Sequence, residues 1–223
     1  MNKPRIATGF VLMGSALFAA SCGPSAPSDS TSADASPAAK ATDAGAPAAS
    51  AGWSRIEGDE RPQPDAAQRA AAEQARLALF SSLMAELSAA MQEGGPKAGI
   101  EVCAERAPAI AAEVSESHGV KIGRTSFRLR NPANTPPVWA IDAVNQRVET
   151  TVSYVHEDGR FATLKPIRLA ANCLMCHGAP EQLAPGVSDT LAIRYPADQA
   201  TGFGVGDLRG WFWIEVPEGE GDG

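Results

Sequence analysis

Val148-Glu149-Thr150-Thr151-Val152-Ser153-Tyr154-Val155 and Phe161-Ala162-Thr163-Leu164-Lys165-Pro166-Ile167 flank an Asp158-Gly159 pair, and the fold is read outward from them. Both runs are rich in β-branched and aromatic residues and read as strands. Asp and Gly tolerate the positive φ of a tight turn, so the pair marks an antiparallel hairpin. Upstream, Val120 and Ile122 and then Phe127-Arg128-Leu129-Arg130 read as further strands. A short helix from about Val138 to Arg147, entered through Pro136-Pro137, separates them from the hairpin. Downstream, Gly210-Trp211-Phe212-Trp213-Ile214-Glu215-Val216 reads as the last strand.

Two helical stretches precede the strands. Asp65 with Gln68 three residues on forms a capping signature, and Leu77, Phe80, Met84, Leu87 and Met91 recur at helical spacing until Gly94-Gly95. The second stretch opens near Pro96 and runs towards His118-Gly119, with Ile100, Cys103, Ala107, Ile110 and Val114 on one stripe. Pro108 leaves the carbonyl of Ala104 without its helical partner, so a kink is expected near Cys103. Helices first and an antiparallel sheet afterwards specify an α+β domain.

At 223 residues and a net charge of −7, the chain suits one globular domain with accessory segments. The acidic balance and the lack of basic runs exclude a nucleic-acid partner. Residues 1–22 read as a lipoprotein signal peptide: Lys3 and Arg5, an apolar run from Ala7 to Ala20, then small residues before Cys22. That run is shorter than the roughly 20 residues a membrane-spanning helix needs. Ala19-Ala20-Ser21-Cys22 resembles a lipoprotein processing site, with Cys22 the lipidated residue and the protein held on the periplasmic side of a bacterial membrane. Cleavage by the ordinary signal peptidase is the alternative and gives a soluble periplasmic or secreted protein. Residues 23–60 read as an Ala/Ser/Pro-rich tether that cannot bury a core and has a root-mean-square reach of roughly 30 Å. Residues 61–217 form the expected domain and 218–223 a polar tail.

Four cysteines divide into distinct jobs. Cys173-Leu174-Met175-Cys176-His177 has the spacing by which two thiols add to haem vinyl groups while the imidazole takes the iron, so one covalent haem c is expected. A thioredoxin-like redox pair would not need the histidine. A zinc site would need a further ligand, which Cys103 can supply. Cys103 otherwise stands unpaired on an inward stripe: either a small buried hydrophobe or the second axial ligand of the iron, with Met84, Met91, His118 and His156 as rivals. Arg124, Arg128, Arg130 and Lys165 are candidate partners for the haem propionates, and Trp211 and Trp213 share a strand face that can cover the ring.

Ile100-Glu101-Val102-Cys103, Gly123-Arg124-Thr125-Ser126, Arg130-Asn131-Pro132-Ala133-Asn134, Lys165-Pro166-Ile167, Cys173 to Gly178, and Tyr195-Pro196 through Gly206-Asp207-Leu208-Arg209-Gly210 together resemble a known family. It is the monohaem c-type cytochrome domain with a PAS-like fold, found as a soluble cyanobacterial haem protein and as the extracytoplasmic input domain of sensor kinases. The resemblance covers roughly Ala75 to Pro217. It implies a PAS-like antiparallel sheet preceded by two helices, with Cys103 as distal ligand opposite His177. The membrane helix and signalling module of the kinase members have no counterpart in this sequence.

The expected function is electron transfer with unidentified redox partner proteins, not catalysis. The alternative is a sensor of redox state or of a diatomic gas, CO or NO, acting through a partner protein after the thiolate lets go.

Overall fold

The computed structural model describes residues 52–57 and 64–219, all within one compact unit, Ala46–Gly223. The signal peptide, most of the tether and the end of the polar tail lie outside the described residues. Among those described, no helix is long and apolar enough to cross a membrane.

The helical region is one element, α1 (Ala66–His118), that breaks at Gly95, whose φ of 68° and ψ of −163° are open to glycine and strained for other residues. The chain folds back there into two adjacent arms, tied across by Arg106 and Glu86 at 2.9 Å. Asp65 opens the first arm with the expected capping box: its side chain accepts from the Gln68 amide at 2.6 Å, and Gln68 Oε1 accepts from the Asp65 amide at 3.3 Å. The Gln68 amide group also donates to the carbonyls of Gly159 and Pro217, so the helix start is pinned to the hairpin turn and the end of the last strand. Pro108 sits inside the second arm, where the backbone keeps helical dihedrals; the non-helical residue in α1 is Gly95.

Five strands follow the order β1-β3-β4-β5-β2, with every pairing antiparallel: β1 (Trp53–Arg55), β2 (Lys121–Thr125), β3 (Val152–His156), β4 (Phe161–Arg168) and β5 (Leu208–Val216). The β3–β4 hairpin turns at Asp158-Gly159 with Gly159 at φ 85°. α2 (Ile141–Asn145) follows a short 3-10 turn over Val138–Ala140. α3 (Leu174–His177) and α4 (Val187–Arg194) lie between β4 and β5. The class is therefore α+β, as the order of the patterns specifies.

Side-chain alternation on β5 divides the core in two. Phe212, Ile214 and Val216 pack with Leu79, Ile110 and Val114 of α1, whereas Trp211 packs with Trp139, Val144 and Tyr154 on the opposite face. Each large apolar side chain buried there contributes roughly 1.5–3 kcal/mol.

Three expectations change. Phe127–Arg130 is not a strand; side-chain bonds to residues 198–201, described below, hold it as an irregular loop. The tether, expected to run to residue 60, ends earlier, because Trp53–Arg55 pairs with β3 and the Trp53 ring packs 5.9 Å from Trp139. On the first arm, Ala72, Ala75 and Leu79 meet the sheet, while Leu77 is 49% exposed.

Lys165 of β4 reaches across to Glu73 of α1 at 2.6 Å. The Arg76 hydrogen bond, against a partial offset from burial, together with Lys165 draws the Glu73 pKa from 4.5 to about 2. Because the folded value lies below the unfolded one, this contribution is present above about pH 4.5 and lost as the pH falls towards 2. Glu73→Gln is expected to flatten the dependence of the urea midpoint on pH in that window, which denaturation followed by circular dichroism at stepped pH measures; an unchanged slope would reject the assignment.

Candidate functional site

Between the arms of α1, one face of the sheet and the segment carrying α3 lies a cavity of about 400 Å³, within the range that accommodates cofactors. The first arm contributes Phe80, Met84, Leu87 and Met91, so the remainder of its predicted apolar stripe faces the cavity rather than the sheet. The second arm contributes Ile100, Cys103 and Ala107, and the sheet contributes Phe212 and Ile167. Phe80, Met84 and Met175 remain 47%, 37% and 37% exposed along it, an apolar surface that a flat hydrophobic ligand would cover.

Cys173, Cys176 and His177 line the floor. Cys173 ends a 3-10 turn, and Cys176 and His177 belong to the single turn of α3. His177 Nδ1 lies 2.8 Å from the carbonyl oxygen of Ala200. A carbonyl only accepts, so that ring nitrogen carries the proton and Nε2 keeps its lone pair for a metal. Burial, reinforced by the positive charges of Arg130 and Arg209, pulls the His177 pKa down to about 3 and keeps the ring neutral. Burial likewise pushes the Cys176 thiol up.

The Ala200 carbonyl is itself held by a knot around Arg130. The guanidinium pairs with Asp198 at 3.2 Å, the two side chains being 8% and 9% exposed, and it also donates to the carbonyls of Cys176 at 2.6 Å and Ala200 at 3.2 Å. Asp198 in turn accepts from the Ala200 amide at 2.8 Å. Backbone bonds from Gly202 to Gly178 and from Phe203 to His177 complete the clamp on α3.

A family model, Tll0287-like, matches residues 60–217. The chain belongs to the Tll0287-like family. Its structure is similar to the crystal structure of the cyanobacterial heme-protein Tll0287, with a TM-score of 0.53 and 23% identity over 69% of this chain and 96% of that one, a likeness of fold. No curated protein matches.

On this Tll0287-like framework the predicted residues sort by position. Cys103, Cys173, Cys176, His177, Arg124 and Arg130 meet at one cavity. Arg128 does not line it: its guanidinium donates to the carbonyls of Gln199 and Thr201 and lies 4.4 Å from the Phe203 ring centre. Lys165 is occupied by Glu73. Trp211 and Trp213 do share a face, but it is the face turned towards Trp139 and α2, where the Trp211 indole donates to the Val148 carbonyl at 2.9 Å; Phe212 stands at the cavity instead. Of the rival ligands, Met84 and Met91 line the cavity. His118 ends α1, and His156 packs edge-on to Trp53 at 4.9 Å beside Asp158. Among the described residues no three His, Cys, Asp or Glu gather closely enough to hold one metal ion between them.

Arg209, Tyr195 and Asp198 were not singled out as site residues from the sequence. Arg209 and Tyr195 lie in stretches quoted for the resemblance, but nothing in the local pattern marks Asp198. Tyr195, 6% exposed, packs with Ile100 and Leu191 at the cavity wall, where burial pushes its hydroxyl up to about 12.

The donor set fits the cofactor that the Cys-X-X-Cys-His spacing implies: two thiols on adjacent turns, a neutral oriented imidazole, apolar walls and arginines at one side. Asp198→Asn is expected to leave the buried Arg130 charge without its partner and destabilise the domain by about 3–5 kcal/mol. Urea denaturation of the variant measures this; a loss below about 1 kcal/mol, the range of exposed pairs, would show that the knot is not what holds the loop.

Proposed function

We propose that this chain is an exported monohaem c-type cytochrome of PAS-like fold that transfers electrons. Cys173 and Cys176 would attach one haem c through thioethers, and His177 and Cys103 would be the residues that ligate its iron. The observation that carries this reading is that Cys103, seventy residues from the motif, opens onto the same cavity as Cys173, Cys176 and His177. The cyanobacterial protein Tll0287, whose crystal structure this fold resembles, is a haem protein. A bound haem supplies a one-electron ferric/ferrous couple.

The chain's own residues account for the rest. Ala200 holds the His177 ring in the tautomer that presents Nε2. Cys103, as thiolate, donates charge and favours the ferric state. Phe80, Leu87, Ile100 and Phe212 keep water from the ring faces. The export segment and Cys22 place the domain, tethered by lipid, on the periplasmic side of a bacterial membrane, where haem attachment of this kind occurs and a redox partner protein can reach it. In this reading the protein is a carrier, not an enzyme.

A second reading, a redox or diatomic-gas sensor acting through a partner, is favoured by one detail. Among the described residues none donates a hydrogen bond to the Cys103 sulfur, so no donor outside the iron retains it when the Fe–S bond weakens. CO added to the ferrous protein separates the two: a six-coordinate ferrous form that excludes CO removes the sensor mechanism.

Chain produced in a cytochrome-c-maturing host is expected to give a c-type pyridine haemochrome and to keep its pigment in acidified organic solvent. Colourless protein, or pigment that extracts, would overturn the proposal. Cys103→Ala is expected to retain haem and lose the thiolate-type ferric absorption spectrum; an unchanged spectrum would transfer the distal role to Met84 or Met91, which Met84→Leu and Met91→Leu then resolve.

A further inference from the structure

The cavity is lined mostly by apolar side chains, and Arg124, Arg130 and Arg209 bring three guanidinium groups to it. Arg124 projects from β2, where it pairs in register with Phe212 and so shares the cavity face of the sheet. Arg209 enters from the start of β5, its Nε 3.3 Å from His177 Nδ1 and its Nη1 donating to the Arg128 carbonyl at 3.1 Å. Arg130 lies beside them, but Asp198 already neutralises it. Among the described residues neither Arg124 nor Arg209 forms an ion pair, and the Arg124 guanidinium makes no hydrogen bond.

Two uncompensated guanidinium groups at the edge of a hydrophobic cavity are costly unless the ligand brings anions to meet them. The other arginines nearby are spent: Arg128 on the Gln199 and Thr201 carbonyls, Arg130 on Asp198. Tyr195, also on the cavity wall, has no hydrogen-bond partner among the described residues for its hydroxyl, which leaves a neutral donor facing the same space. A ligand that fits this cavity is therefore apolar over most of its surface and carries anionic groups where Arg124 and Arg209 line it.

We infer that Arg124 and Arg209 are the residues that receive the carboxylates of the cavity's ligand, with Tyr195 as an accessory donor, and that Arg128 and Lys165 take no part. This rests on the haem reading above, in which the carboxylates are the two propionates. Guanidinium forks match carboxylates bidentately, and a positive charge held next to the proximal histidine favours the reduced state of the iron. Arg209 thus acts on the iron as a positioning residue, through the propionate and His177, not as a ligand.

Spectroelectrochemistry of the holoprotein tests the assignment. Arg209→Met and Arg124→Met are each expected to shift the ferric-to-ferrous ratio at fixed potential about tenfold towards ferric, a fall of about 59 mV for a one-electron couple. Arg209→Lys, which keeps the charge, is expected to recover most of that shift, and Lys165→Met to leave the potential at its wild-type value. Equal potentials for wild type, Arg209→Met and Arg124→Met, or a shift with Lys165→Met as large as theirs, would overturn the assignment while leaving the haem reading intact. Failure of the haem reading is distinguished beforehand, because wild-type protein would then give no haemochrome. Should Arg209→Met be recovered without pigment, Arg124→Met and Arg209→Lys decide: a shift in the first that is absent in the second supports the assignment, and no shift in the first overturns it.

Discussion

Arg130 brings together three parts of the chain that are far apart in sequence. Its planar fork engages the Asp198 carboxylate and the carbonyls of Cys176 and Ala200 at once, and the Ala200 carbonyl is the group that orients His177. Lysine could not replace it, because a single ammonium cannot meet these acceptors in one plane. A buried ion pair is weak evidence for stability, since desolvation offsets most of the Coulomb gain. Its consequence here is directional. The loop over residues 198–203 is short of regular structure, and the knot adds to the backbone bonds to Gly178 and His177 and to the His177 side-chain bond that fix its distance from α3.

The second constraint is the break at Gly95. A continuous helix from Ala66 to His118 would carry Met84 and Cys103 far apart along its axis. Folding back at a residue with positive φ sets the arms side by side, and Gly99 allows Met91 and Leu87 to approach the second arm closely; a Cβ there would stand 2.9 Å from the Met91 sulfur. The cavity is the space left where the two arms diverge from the sheet below the Leu79, Ile110 and Ile214 contacts.

The division of labour on β5 follows from its two-residue period. Phe212 faces the cavity, while Trp211 closes a second core against Trp139 and Tyr154. The strand is nearly all apolar because both of its faces are covered, so its composition alone does not say which face meets a ligand.

Local signals were sufficient for the capping box at Asp65, the Asp158-Gly159 turn, the helical break and the order of helices before strands, because each depends on residues within a few positions of one another. The Cys173–His177 motif was readable for the same reason. What sequence spacing could not decide was which of several chemically similar side chains share a space. Arg124 and Arg128 are the same residue type only a few positions apart, yet one faces the cavity and the other serves carbonyls of the 198–201 loop. Asp198 carried no signal, since its role exists only when Arg130 is beside it, and alternation reveals that Trp211 and Trp213 share a face but not whether a ligand or the ordinary core covers it. Short-range chemistry was therefore determined by the chain itself, and convergence of distant groups on one cavity was decided by tertiary packing, because burial and ion pairing depend on neighbours that only folding supplies.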